Sequence, residues 1–121
     1  MSLPKKKQNT KYKKNKRRYE NKKHLSWIHN FPCILNFTYK CQGRIEAHHL
    51  MRPWSGNRGM GMKSGDQNLV PLCSLHHREL HHDGQEERYF EKQNGNSDFG
   101  KQESIRYWLE SPYSLGEFII K

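Results

Sequence analysis

The feature that most constrains this chain is an ordered set of residues: Ala47-His48-His49, then Asn68, then Cys73-Ser74-Leu75-His76-His77-Arg78-Glu79-Leu80-His81-His82. Six of the eight histidines fall in these two clusters. Histidine is the commonest metal ligand and the natural base near neutral pH, so this density calls for a chemical reason.

Composition limits how such a unit is held together. The chain has 121 residues, enough for one small domain, and only 32% of them are hydrophobic. A domain with so small a core often needs a metal or disulfides as a staple. The three cysteines, Cys33, Cys41 and Cys73, are few and odd in number. They fit zinc binding in a reducing compartment better than a secreted disulfide scaffold. No apolar run is long enough to span a membrane, and the N-terminus lacks the apolar stretch of a signal peptide. The expectation is a soluble intracellular protein.

The net charge of +10 is unevenly placed. Within residues 1–23, Lys5, Lys6, Lys7, Lys11, Lys13, Lys14, Lys16, Arg17, Arg18, Lys22 and Lys23 stand against one acid, Glu20. The other residues carry eleven basic and eleven acidic side chains, so all the excess lies in this arm. Such a segment cannot bury enough apolar surface to fold alone. It is expected to be a disordered arm that binds nucleic-acid phosphates in a salt-dependent, sequence-independent way. Tyr12 and Tyr19 are candidates to stack on bases. The plainer reading is a solubility tail or a localisation signal. Residues 24–121 then form the folded domain.

Residues 24–31 read as a short helix anchored by Leu25, Trp27, Ile28 and Phe31 and stopped by Pro32. Cys33 to Cys41 is an aromatic-rich loop, and Arg44 to Leu50 a strand running into the first histidine pair. Residues 52–65, with four glycines and a proline, read as a long flexible loop. Its Arg52, Arg58 and Lys63 could meet phosphates and its Trp54 could stack on a base, or the loop is a solvated connector. Asn68 to Cys73 is an apolar strand, Ser74 a candidate N-cap for the next helix, and Asp83-Gly84 its end. Two more helices follow: residues 85–93 with Tyr89 and Phe90 inward, and residues 101–110 with Ile105, Trp108 and Leu109 on one side.

His77 and His81 are four apart on the predicted helix and share a face, where two imidazoles can bind one ion. His48, from the strand opposite, could complete a three-ligand site with open positions for water and phosphate, the mark of a catalytic rather than a structural site. His49, aimed to the other side of the strand or bent by a turn, would stay free as a base. His82 could replace His81 in a rotated helix, contact phosphate, or sit solvated at the helix end. His24 and His29 read as structural or surface residues. The plain alternative for the whole constellation is a structural metal-binding pair.

Together, the His48-His49 pair, Asn68 and the His77-x3-His81 helix resemble the HNH (ββα-metal, or His-Me finger) nucleases. The segment NLVPLCSLHH is similar to that family's asparagine–strand–Cys-x2-Cys-His run. The stretch from Ala47 to Gly84 looks closer still to the phage-encoded Ref-like recombination-enhancement nucleases. With WIHNFPC upstream and the helices after Gly84, the likeness covers about residues 27–110.

The resemblance implies a small α+β fold of the ββα-metal type, with a zinc-stapled core and extra short helices. It implies that His48, His77 and His81 bind a divalent ion, that His49 takes a proton from the attacking water, and that Asn68 holds the loop so that His49 is oriented. The activity implied is metal-dependent hydrolysis of DNA phosphodiester bonds, leaving a 3′ hydroxyl and a 5′ phosphate. The implied setting is DNA recombination or processing in the cytoplasm of a bacterium or a phage-infected host, with a recombination protein as a partner. Three imidazoles favour zinc, nickel or manganese by ligand softness, while magnesium could serve with water filling its shell. Single- and double-stranded DNA both stay open as substrates, and so does the oligomeric state.

Cys33, Cys41, Cys73 and His76 are then candidate ligands of a structural zinc. Cys73-x2-His76 is a suitable half-site. Cys33-x7-Cys41 is wider than the tight Cys-x2-Cys found at this place in related proteins. A closed site would staple the small core; free buried cysteines are the alternative. Other histidine motifs fail on order. A zincin needs Glu directly after the first histidine of its helix, but Arg78 follows His77. His77-x-Glu79 lacks the Pro-Cys-x2-Cys of a zinc deaminase. The serious alternative is a non-catalytic zinc-stabilised module that binds nucleic acid, which leaves His48, His49, His77 and His81 unexplained.

Overall fold

The computed structural model describes residues 18–56 and 63–118. The basic residues from Lys5 to Arg17, together with Tyr12 and Arg58, lie outside the described residues.

Among the described residues, the chain is a small α+β unit. Strands β1 (Ile45–His49) and β2 (Leu69–Cys73) form an antiparallel pair, with His48 opposite Val70 and His49 opposite Leu69. Helices α1 (Lys22–Ile28), α2 (Ser74–Asp83), α3 (Glu86–Asn94) and α4 (Phe99–Glu110) surround them. Short 3-10 turns occupy Asn36–Thr38 and Asp66–Asn68. No helix here is long and apolar enough to cross a membrane.

The core forms around β2 because all five of its residues are buried. It packs against β1, α1, α2 and α4. Leu69, Val70 and Leu72 join Ile28, Leu35, Leu50, Leu80 and Phe90 in one apolar cluster. Pro71 fits because a proline needs no ladder partner for its nitrogen. Its carbonyl accepts a bond from the Ile34 N–H at 3.1 Å, which draws the Cys33 segment onto the outer edge of the strand.

Helix α2 starts one residue earlier in register than its sequence suggests. Cys73 is the N-cap and Ser74 the first helical residue. The Cys73 sulfur takes the capping bond from the His76 N–H, while the Ser74 hydroxyl donates to the Arg44 carbonyl instead. The turn into β1 passes so close that a Cβ on Gly43, which has φ +84°, would stand 2.6 Å from Ser74 Cβ. Gly84 ends the helix in the left-handed conformation at φ 77°, as expected of a glycine past the last turn.

Helix α4 begins at Phe99 rather than residue 101, and its buried face is Ser104, Tyr107 and Trp108. Leu109, expected inward, is 55% exposed. Ser104 takes the inward place because its hydroxyl accepts from the Trp54 indole N–H at 3.0 Å. That indole also donates to the Gln67 carbonyl and packs against the core, so Trp54 is a structural residue and is not free to stack on a base.

Helix α1 is displaced toward the N-terminus, running 22–28 rather than 24–31. Asn21 caps it by accepting from the His24 N–H at 3.0 Å. The folded unit therefore includes Arg18 to Lys23, and the domain boundary expected at residue 23 moves back. Arg18 pairs with Asp66 at 3.0 Å, which removes it from the set of free phosphate-binding residues. Tyr19 donates to Glu117 at 2.6 Å and packs edge-on against Trp108 and Phe118, so it too is committed to the domain rather than to a base. Lys22 and Lys23 stay exposed on α1.

Candidate metal centres

Two groups of side chains converge. The first is Cys33, Cys41, Cys73 and His76, whose ligand atoms all lie within 4.8 Å of one another. The cap position of Cys73 and the first turn of α2 put Cys73 and His76 side by side, and the Ile34–Pro71 bond brings in Cys33. The His76 Nδ1 is 3.6 Å from the Cys33 sulfur, 3.7 Å from that of Cys41 and 3.2 Å from that of Cys73. Zinc bound at about 2.3 Å to sulfur and about 2.0–2.1 Å to nitrogen in a tetrahedron places the two roughly 3.6 Å apart. Cys41, seven residues beyond Cys33, comes into the group despite the wide spacing.

The surroundings suit a cation. Thr38 Oγ1 donates to the Leu35 carbonyl at 2.8 Å and lies 3.4 Å from His76 Nε2, so that nitrogen carries the proton and the Nδ1 lone pair faces the space among the sulfurs. The N–H groups of Leu35 and His76 point at the Cys33 and Cys73 sulfurs. Burial pushes the Cys33 thiol up, and burial with the neighbouring Cys33 pushes Cys41 up to about 12. Ligation would take all three as thiolates, and the charge of a bound ion would offset the burial that opposes this at Cys33 and Cys41. This Cys3His group could hold a metal such as zinc.

The second group is His48, His77 and His81, again with ligand atoms within 4.8 Å of one another. His48 comes from β1 and is buried; His77 and His81 come from one face of α2. His77 Nε2 and His81 Nε2 are 3.2 Å apart. Two nitrogens sharing one ion at about 2.0–2.1 Å each stand roughly 2.9–3.4 Å apart. The group contains His81 and not His82, which is exposed further along the helix.

Two carboxylates that sequence reasoning missed fix these rings. Glu86, buried at the start of α3, accepts from His48 Nε2 at 2.8 Å. It also accepts from the Met51 and Arg52 N–H groups, which pins the chain just beyond β1. Glu46, on β1, accepts from His77 Nδ1 at 2.7 Å. The hydrogen bond from His77 holds the Glu46 carboxyl below its ordinary range, even against burial. A carboxylate accepts, so His48 Nδ1 and His77 Nε2 are left with their lone pairs. Metal-binding imidazoles characteristically have such partners. Burial, chiefly, keeps the His48 imidazole from protonating, with Glu86 opposing it.

His49 is not part of either group. Its neighbour in the strand faces the cluster, while His49 Nε2 donates to Asp66 Oδ1 at 2.7 Å. Burial alone would raise the Asp66 carboxyl; the bonds from His49 and the Asn21 N–H, with the charges of His49 and Arg18, outweigh it and leave Asp66 lowered. The Asn68 side chain bonds to the loop rather than to His49. Its side chain accepts from the Trp54 and Ser55 N–H groups and donates to the Ser55 carbonyl at 3.0 Å, holding the start of the 52–65 loop. Its carbonyl accepts from the Leu50 N–H, one residue past His49. His24 is buried against Trp108 and bonded to Ser111, and His29 is exposed; both are structural or surface residues.

A small α+β domain with a Cys3His group and a separate three-histidine group, both seated on one strand–helix unit, is the class of protein this structure defines. The chain belongs to the family described as protein of unknown function DUF968, whose profile matches residues 6–108. Over 70 residues it is 37% identical to the uncharacterized protein YdfU of Escherichia coli (strain K12), a match covering 56% of this chain and 18% of that protein. The chain thus spans less than a fifth of the length of this curated relative. No solved structure matches the chain.

Proposed function

We propose that this chain is a metal-dependent DNA endonuclease of the ββα-metal type, hydrolysing phosphodiester bonds. The observation that carries this reading is the convergence of His48, His77 and His81, with Glu86 and Glu46 fixing two of the three rings. A purely structural site would close its fourth position with a further protein ligand, and the Cys3His group already fills the structural role. In this reading it holds zinc as the staple of the small core.

One divalent ion in the histidine group would stabilise charge on the scissile phosphate and on the leaving 3′ oxygen. His49 is the general base. With its Nε2 proton committed to Asp66, its Nδ1 lone pair receives the proton of the attacking water. Asn68 secures the loop that follows. Lys22 and Lys23, with the basic residues that precede Arg18, supply affinity for phosphates. The resemblance to Ref-like nucleases supports a role in DNA recombination or processing in a bacterium or its phage. A non-catalytic zinc module for nucleic acid would use the Cys3His group and the basic segment, but gives carboxylate-backed histidines no task.

The test is cleavage of end-labelled single-stranded and duplex oligonucleotides with magnesium, manganese, nickel or zinc. The expected products carry 5′ phosphates and 3′ hydroxyls that a ligase can rejoin. Products ending in 3′ phosphate, or no products with any metal, would overturn the reading.

A further inference from the structure

Asp66 belongs to neither metal group, yet it has more polar partners than its place in a short turn requires. It is 2% exposed. Oδ1 accepts from His49 Nε2 at 2.7 Å and from Arg18 Nη1 at 3.0 Å, so the two donors share one oxygen. Oδ2 accepts from the Asn21 N–H at 2.8 Å. The Asp66 N–H donates to the Tyr19 carbonyl at 2.9 Å. One aspartate therefore holds the ring of His49 and three points of the segment that leads out of the basic arm.

From this geometry we infer that Asp66 is the positioning residue of His49, and that Arg18 makes the seating of the N-terminal basic segment part of that positioning. The inference rests on the nuclease reading for the role of His49, but the pairing itself stands on distances. Burying a carboxylate is costly unless its lone pairs are filled. Arg18, Asn21 and His49 fill them jointly, so losing any one partner loosens the hold on the others. A polyanion that draws Arg18 away from Asp66 acts, through the shared oxygen, on the orientation of His49. Phosphate binding at Arg18 and chemistry at His49 are thereby linked through Asp66. The linkage takes the form of a shared acceptor, in which each donor limits how the other can sit.

Steady-state cleavage by the full chain tests this, with wild type compared against Asp66→Asn, Arg18→Ala and Arg18→Lys. Orientation loss acts on the chemical step, so kcat should fall about 100-fold or more in Asp66→Asn. In Arg18→Ala kcat should fall several-fold, with Arg18→Lys recovering most of it. A change in KM alone in Arg18→Ala would overturn the linkage, because it would make Arg18 only a phosphate contact. Because Asp66→Asn disturbs a buried network, Arg18→Ala at the edge of the fold keeps the test independent of folding. Nitrogen-15 NMR of the His49 ring separates this inference from the nuclease reading. A single Nε2–H tautomer in wild type that becomes mixed in Asp66→Asn supports the positioning role even if no cleavage is seen. The same tautomer ratio in both proteins overturns it.

Discussion

Glu86 accepts a hydrogen bond from the Nε2 of His48 at 2.8 Å, and both side chains are buried. The same carboxylate binds the N–H groups of Met51 and Arg52, so ring and strand end are fixed together. Glu86→Gln keeps the shape but leaves an amide where His48 needs a full acceptor. Loss of such a partner typically costs 10–100-fold in metal affinity. Calorimetric titration of manganese or nickel into the zinc-loaded variant should show a drop of about that size. Unchanged affinity would mean His48 is not a ligand.

The Cys3His group predicts one tightly held zinc per chain, countable by elemental analysis after dialysis. Cys73→Ser, whose hydroxyl can still cap α2 but no longer offers a thiolate, should lose the metal and lower the melting temperature by about 10 °C or more. Cys41→Ser, on the exposed side of the group, should lose the metal with less damage to the core. Full zinc retention by both variants would count against the group.

His81 lies in the three-histidine group and His82 does not. His81→Ala should reduce metal-dependent cleavage by about 100-fold or more, as expected when an open catalytic site loses one of three ligands. His82→Ala should stay within about twofold, an ordinary effect for an exposed side chain. Equal losses in the two variants would place His82 at the ion.

Trp54 packs on the core and its indole bonds two acceptors. Trp54→Ala should lower stability by about 2–3 kcal/mol in denaturant unfolding. Because this ring is not a base-stacking element, the folded variant should bind single-stranded DNA as wild type does. A large loss of DNA affinity without a loss of stability would reverse that assignment.

Burial holds the His24 imidazole down at about 4, with the charge of Asp66 opposing. In the unfolded chain it titrates near about 6.5. Between these values the unfolded state binds the proton that the folded state refuses. The stability conferred by the neutral ring is therefore complete above the unfolded value and is lost as pH falls toward 4. His24→Phe, which cannot charge, should show a shallower fall in melting temperature from pH 7 to pH 5 than wild type at equal zinc loading. Parallel curves would exclude His24 as a contributor.

Much of this architecture is legible in the sequence because it rests on periodicity and punctuation. Leu69 to Cys73 is a short apolar run, His77 and His81 are one turn apart, and Gly84 stops the helix that carries them. The carboxylates were not legible. Glu46, Asp66 and Glu86 are acids in polar surroundings, where a solvated side chain is the ordinary outcome, and their histidine partners lie 17 to 38 residues away. Glu46 alone carried a usable signal, since it shares a strand face with His48 two residues on. The places of Arg18, Tyr19 and Trp54 are hard to read from the sequence for a related reason. Each lies in a charged or glycine-rich stretch, but its partner, whether Asp66, Glu117 or Ser104, is supplied from far along the chain.

The most direct measurement is nicking of supercoiled plasmid by wild type and by His49→Ala, across magnesium, manganese, nickel and zinc, with a chelator control and DNA binding measured in parallel. The account predicts metal-dependent nicking by wild type that disappears in His49→Ala while binding persists. Equal nicking by both proteins, or tight salt-sensitive binding with no nicking by wild type under any metal, would contradict it.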